Sequence, residues 1–278
     1  MRKWGKIMNY LKDILNYYCK NFIYVVIFCV APAIFIGALL KPFSLFQFVV
    51  EYPNYTLMNF GQFYTAVYGI GWLDVLWIIL GLVLLVVSMS LFLGFIERHF
   101  KTGKPSVVNG FSLNSNVLSV LKVVAILAVV AYIINLVMML LMFFVHFLCA
   151  KNGVGNVFSA IFNYIVLILG MFLIMRAFTL FIQTCIGMMI NGSPLNVSFS
   201  DATHAISRNV WQILLVEAVL CVTVFVIIAI CTLLKIVWLG NILGLLIFLP
   251  IECILGMIVF CEFNDIKRYD KRRLFVKF

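Results

Sequence analysis

The sequence predicts an all-α, polytopic membrane protein, a bundle of six transmembrane helices forming a single integral domain over 1–278 with short interfacial helices. Three observations predict it. Hydrophobic residues make up 65% of the chain and charged residues 11%, with a mean hydropathy of +1.16, whereas a soluble domain is roughly half apolar and a quarter charged. Six apolar runs, at 22–40, 72–96, 123–148, 157–175, 210–234 and 236–260, reach or approach the ~20 helical residues that cross ~30 Å of hydrocarbon. The basic residues alternate from side to side between those runs. Backbone polar groups in hydrocarbon have to be satisfied internally, which a helix does without a partner; alternating barrel strands of about 10 residues are not what the chain contains.

The first run follows Arg2, Lys3, Lys6, Lys12 and Lys20. Ala31-Pro32-Ala33 offers the small residues of a signal-peptide cleavage site, but the apolar run continues past it, so a retained signal anchor is expected. The loop 41–71 is rich in aromatics (Phe43, Phe46, Phe48, Tyr52, Tyr55, Phe60) and is expected in the headgroup region as one or two short helices broken at Pro53. Within it, Asn54-Tyr55-Thr56 has the form of a glycosylation sequon, meaningful only in a eukaryotic secretory pathway.

Arg98, Lys101, Lys104 and Lys122 lie between the second and third runs, Arg176 and Arg208 between the fourth and fifth, and Lys267, Arg268, Lys271, Arg272, Arg273 and Lys277 after the sixth. With the first group they make seventeen of the 20 basic residues; Lys41, Lys151 and Lys235 fall on the other side. The positive-inside rule then places both termini in the cytoplasm of a multi-pass cell-membrane protein. The net charge of +10 is assigned to topology and to anionic lipid headgroups, with Arg98, Lys101, Lys104, Arg208, Lys267, Arg268, Lys271, Arg272 and Arg273 as the contacts, rather than to nucleic acid. Another membrane protein is the further partner to consider.

Two inner loops share a pattern. Gly103-Lys104-Pro105, Phe111-Ser112 and Asn116-Val117 in one correspond to Gly192-Ser193-Pro194, Phe199-Ser200 and Asn209-Val210 in the other. Glycine and proline are expected to end the incoming helix. Ser198 and Asp201 have capping-box spacing, and Ala202, Ala205 and Ile206 form an apolar stripe, so an amphipathic helix is predicted before the fifth span. The stretch from Phe199-Ser200-Asp201-Ala202 through Arg208-Asn209-Val210-Trp211 resembles the integral membrane domain of some bacterial glycerophosphodiester phosphodiesterases, and related stand-alone six-helix membrane proteins. That resemblance covers mainly spans four to six. It implies a bacterial inner-membrane protein and carries over no catalytic residue, because catalysis in those enzymes belongs to a separate soluble domain.

Ionisable residues inside spans are functional candidates. Arg176 stands 14 residues from Ile190, and Glu217 stands 13 from His204. At 1.5 Å per residue the two reach a common depth of about 20 Å if their helices are antiparallel neighbours, so an Arg176–Glu217 ion pair is predicted. Glu252, after Pro250, is placed to join it. One arginine would then face two carboxyls, one of which would carry a proton. The cluster reads either as a device that fixes helix register or as a polar site for an ion, a proton or a lipid headgroup.

The remaining candidates are weaker. Asp74 and His146 sit at span ends, where water is in reach. Glu97 and His99 are too close along one helix to face each other as acid and base. His99 and His204 would meet in a metal site only if the two inner loops came together, and none is assigned. Eight cysteines show no metal-ligand spacing, although Cys149 and Cys231 share the outer side and could form a disulfide. No zinc-protease, nucleophile-elbow or phosphate-loop motif is present. The expected function is therefore a non-enzymatic scaffold or partner subunit of an envelope or transport complex, needing no cofactor, with a small permease or lipid-handling protein as the alternative. Gly81, Gly94, Gly170, Gly240 and Gly244 would let helices approach closely, the last two as a GxxxG pair used in internal packing.

Overall fold

A computed structural model describes residues 2–37, 42–51, 59–68, 72–103, 113–151 and 156–266. The described residues form ten α-helices: α1 Arg2–Lys20, α2 Phe22–Phe35, α3 Ser44–Glu51, α4 Phe60–Val67, α5 Trp72–Thr102, α6 Leu113–Lys151, α7 Asn156–Asn191, α8 Leu195–Arg208, α9 Val210–Leu233 and α10 Val237–Phe263. Five of them, α5, α6, α7, α9 and α10, are long and apolar enough to cross a membrane, and α1 with α2 makes a sixth candidate, a broken one that turns through 84°. The chain is a polytopic helical membrane protein. Its outward faces are apolar, as a bilayer-facing surface requires: Leu76, Ile133, Leu169, Val222 and Leu233 are all exposed.

Most span boundaries agree with the apolar runs to within a few residues, with two informative differences. The fourth apolar run stops at 175, yet α7 continues past Arg176 to Asn191, as the depth count from Ile190 requires, so the basic residue lies inside a helix more than fifty ångströms long by the usual rise of ~1.5 Å per residue. The first run was read as one span over 22–40, whereas α2 is a regular helix only over Phe22–Phe35 and continues as a wider turn at Ile36 and Gly37.

The helix ends follow local chemistry. α5 and α7 both stop before a glycine in the left-handed region, Gly103 (φ 70°) and Gly192 (φ 64°), which closes a helix at no steric cost. At the end of α9 the same conformation falls to Lys235 (φ 59°). There Ile236 N–H donates to the Cys231 carbonyl at 2.9 Å and Lys235 N–H to that of Thr232 at 3.0 Å. Those two bonds make a Schellman end and turn the chain straight back into α10.

Two corners are alike. Asn21 joins α1 to α2 with φ −111° and ψ 20°, and Asn209 joins α8 to α9 with φ −113° and ψ 24°. Each side-chain amide donates to the carbonyl four residues back, Asn21 to Tyr17 at 2.9 Å and Asn209 to Ala205 at 3.3 Å. Both asparagines are buried, and each leads from an amphipathic helix into an apolar one. The loop repeat pointed instead to Asn116, yet α6 runs straight through Asn116 and Val117, and Lys104–Ser112 lies outside the described residues.

α10 is the centre of the bundle, packed by α1, α2, α5, α7, α8 and α9. Its Pro250 has no N–H, so the Leu246 carbonyl loses its helical donor. The Tyr18 hydroxyl donates to that oxygen at 3.4 Å. Gly240 and Gly244 face inward as expected: a Cβ at Gly240 would stand 2.8 Å from Cys231 Cβ, and one at Gly244 3.0 Å from Phe43 Cε2.

The aromatic loop departs from expectation. Two short helices form, α3 and α4, but Ser44 through Val49 of α3 are all buried, packed on α9 and α7 rather than lying on the surface. Phe46 meets Phe225 of α9 with ring centroids 3.9 Å apart, and Gln47 Nε2 donates to Asn241 Oδ1 of α10 at 3.1 Å. Pro53 and the Asn54 sequon lie outside the described residues.

Candidate functional site

The polar centre is built on one face of α7. Arg176, Thr179 and Gln183 recur at i, i+3 and i+7, a spacing that stacks side chains along one side of a helix. α9 presents Glu217 to this stripe and α10 presents Glu252, both with no solvent exposure. Arg176 Nη1 lies 3.5 Å from Glu217 Oε1, so the residues matched by depth are brought together. Glu252 does not reach the arginine in a hydrogen bond. It is joined through Thr179, whose Oγ1 lies 2.8 Å from Glu252 Oε2, 2.9 Å from Glu217 Oε1 and 3.1 Å from the Met175 carbonyl. One turn further on, the Gln183 amide donates to the Gly256 carbonyl of α10. A Cβ at Gly256 would stand 2.5 Å from Ile182 Cγ2, so the absence of a side chain there is what lets α7 and α10 come close enough for both links.

The cluster is incompletely satisfied. Glu217 Oε2 and Glu252 Oε1 are buried without a hydrogen-bond partner. The Arg176 guanidinium has five N–H donors, and among the described residues its one hydrogen bond is the long contact to Glu217. Buried polar groups are almost always bonded, so the two orphan carboxyl oxygens set this cluster apart from the rest of the packed interior.

Beside this centre lies a chamber of about 230 Å³. It is walled by α6 (Val124, Leu127, Ala131, Met138), by the opposite face of α7 (Met171, Met175, Phe178), and by residues of α3, α5, α9 and α10. Asn135 is its one polar lining side chain, and its amide is turned back to the Ala131 carbonyl at 2.9 Å. Phe178 and Phe248, with ring centroids 4.9 Å apart, line the chamber one residue before Thr179 and one turn before Glu252. They separate the apolar space from the carboxyls.

The amphipathic helix predicted near 198–211 is α8. Its buried residues are Ser198, Ala202 and Ala205, with Ile206 partly buried. Ser198 is not its cap, however. Pro194 holds that position, and the Ser198 hydroxyl meets that of Ser193 at 2.7 Å while packing on Gly187 of α7.

Of the basic residues assigned to headgroups, Arg98 is partly buried near the end of α5, Lys101 forms an ion pair with Glu97 one turn away, and Arg208 is exposed at the end of α8. Lys104, Lys267, Arg268, Lys271, Arg272 and Arg273 lie outside the described residues. His99 meets the Tyr17 hydroxyl at 3.0 Å, and His204 is exposed on α8. All eight cysteines are free, Cys149 and Cys231 among them.

Reading from the sequence missed Thr179 and Gln183. Their signal was available as a polar stripe continuing from Arg176 at helical spacing, where attention went only to ionisable groups. Compared with family models, curated proteins and solved structures, the chain matches none.

Proposed function

We propose that this protein is a lipid-handling membrane protein that holds a hydrocarbon chain in the chamber walled by α6, α7 and the helices facing them, and that it binds rather than catalyses. The observation that carries the reading is the chamber itself. Its volume of about 230 Å³ exceeds the roughly 150 Å³ at which an apolar cavity stays dry and takes up benzene. Its lining offers water almost nothing to bond, so a hydrocarbon chain is the chemistry that fits. The excess of basic residues at the α8 end supports an orientation with that end in the cytoplasm.

The test is to purify the full chain with a tag from native membranes in mild detergent and identify co-purifying lipids and proteins by mass spectrometry. Wild type is compared with Ala131→Phe, which fills the chamber. A lipid enriched in wild type and depleted in the variant is the expected result. Equal lipid in both would contradict the reading, and a stoichiometric protein partner without selective lipid would support a scaffold or subunit instead.

A further inference from the structure

The Thr179 hydroxyl has one hydrogen and three oxygen neighbours. Two are carboxyl oxygens on different helices, Glu217 Oε1 at 2.9 Å and Glu252 Oε2 at 2.8 Å, and the third is the Met175 carbonyl at 3.1 Å. A hydroxyl donates once and accepts through its lone pairs. Two ionised carboxylates could therefore not both be bonded to it: one contact would set lone pair against lone pair, with two negative charges joined through a single atom. The two shorter contacts, to the carboxyls, are satisfied when one carboxyl brings its own hydrogen and donates to Thr179 while Thr179 donates to the other; the longest, to the Met175 carbonyl, can only share that single hydroxyl hydrogen. The local charge then balances as well, one guanidinium against one carboxylate.

Among the described residues the neighbourhood offers no other counter-charge. α7 contributes Arg176 and, further along, Cys185; α10 contributes Cys253, within electrostatic range of Cys185, of Glu252 and of Cys29 on α2. Cys221 is one turn along α9 from Glu217. On the remaining elements against α10, Tyr17 of α1 and His99 of α5 are bonded to each other, and Tyr18 is held by the Leu246 carbonyl. Asp201 of α8 faces a separate small cavity of about 10 Å³, shared with Gln183, Asn191, Ser198 and Asn264, which is room for about one water molecule. Gln183, which lines this cavity, lies one turn from Thr179, a rise of about 6 Å along α7.

We infer that Glu217, Thr179 and Glu252 form one proton-binding site holding a single proton shared between the two carboxyls, and that the polar cavity at Gln183 and Asp201 is its route of exchange. Release transfers the proton from a carboxyl oxygen to water and leaves two carboxylates; uptake reverses this, and no bond to carbon changes. This site is independent of the hydrocarbon chamber.

Difference infrared spectroscopy of the full chain in lipid nanodiscs, followed through a pH titration, tests it. At neutral pH the wild type shows the carbonyl stretch of an un-ionised carboxylic acid, which disappears as the pH rises. Glu252→Gln removes that band, because the remaining carboxyl is paired with Arg176. Thr179→Val shifts its frequency, and Thr179→Ser, which keeps the hydroxyl and most of the packing, restores it. Ala202→Phe, which fills the polar cavity, leaves the frequency alone and slows exchange of the band in deuterated water at least several-fold. A neutral-pH wild type without an acid band, or a band unmoved by both Glu252→Gln and Thr179→Val, overturns the shared proton. An exchange rate unchanged by Ala202→Phe overturns the route.

Discussion

The two faces of α7 differ as much as any two regions of this molecule. One carries Arg176, Thr179 and Gln183 toward α9 and α10, where three helices are tied by side-chain hydrogen bonds and Gly256 lets them close. The other carries Met171, Met175 and Phe178 toward a chamber of about 230 Å³ that α7 shares with α3, α5, α6, α9 and α10. The same helix is therefore tied by polar links on one face and borders an unfilled apolar space on the other. In a bilayer the apolar effect does little to bring helices together, and close packing and hydrogen bonds do more. The polar face is where α7 is anchored, and the apolar face is where it can spare contact for a ligand.

The contrast predicts unequal responses to substitution. The largest belongs to Arg176→Leu, which leaves a fully buried Glu217 without its cation. Breaking a buried pair from one side costs roughly 3–5 kcal/mol, and the partial exposure of the guanidinium puts the expected loss near the lower figure. Thermal unfolding in detergent measures it, and Arg176→Leu combined with Glu217→Gln should recover much of the loss. Full stability in the single variant would remove the ion pair from the account.

Gly256→Ala comes next. It drives a methyl against Ile182 on the closed interface, and overpacking of this kind typically costs about 1–3 kcal/mol. Ala131→Phe on the chamber side makes the sharper comparison: it adds far more volume yet should change unfolding by less, because the chamber accepts it. If Ala131→Phe were the more damaging of the two, the two faces would not differ as described.

Smaller effects are expected at the helix ends. Asn209→Ala removes a buried side-chain donor at the α8–α9 corner and should cost about 1 kcal/mol, with Asn21→Ala costing a similar amount at the matching corner. Lys235→Gly relieves a left-handed residue and should stabilise by a few tenths to about 1 kcal/mol, read as a rise in the midpoint of thermal unfolding.

The sequence made the framework legible because hydrocarbon imposes few solutions. Length and hydropathy located the spans, Gly103 and Gly192 marked where helices end, and counting residues from the loop matched Arg176 to Glu217 in depth. What stayed hidden depends on neighbours. Nothing in the aromatic run at Phe43, Phe46 and Phe48 distinguishes burial between helices from a place among headgroups, since both favour the same side chains. Thr179 is an ordinary residue for a span, and its role arises only because α9 and α10 each deliver a carboxyl to it. Glu252 joins the pair through Thr179 rather than by its own hydrogen bond to Arg176, a detail hidden for the same reason: depth along a helix can be counted, but rotation about its axis cannot.

The central claim is that α7 separates a closed polar seam from a chamber that holds a hydrocarbon chain. A structure of the full chain determined from crystals grown in a lipid mesophase tests it most directly. The account predicts elongated, lipid-like density in the chamber bounded by α3, α5, α6, α7, α9 and α10, against Ala131, Met138 and Met171. A collapsed chamber, with the side chains that line it in contact throughout and no density among them, would contradict it.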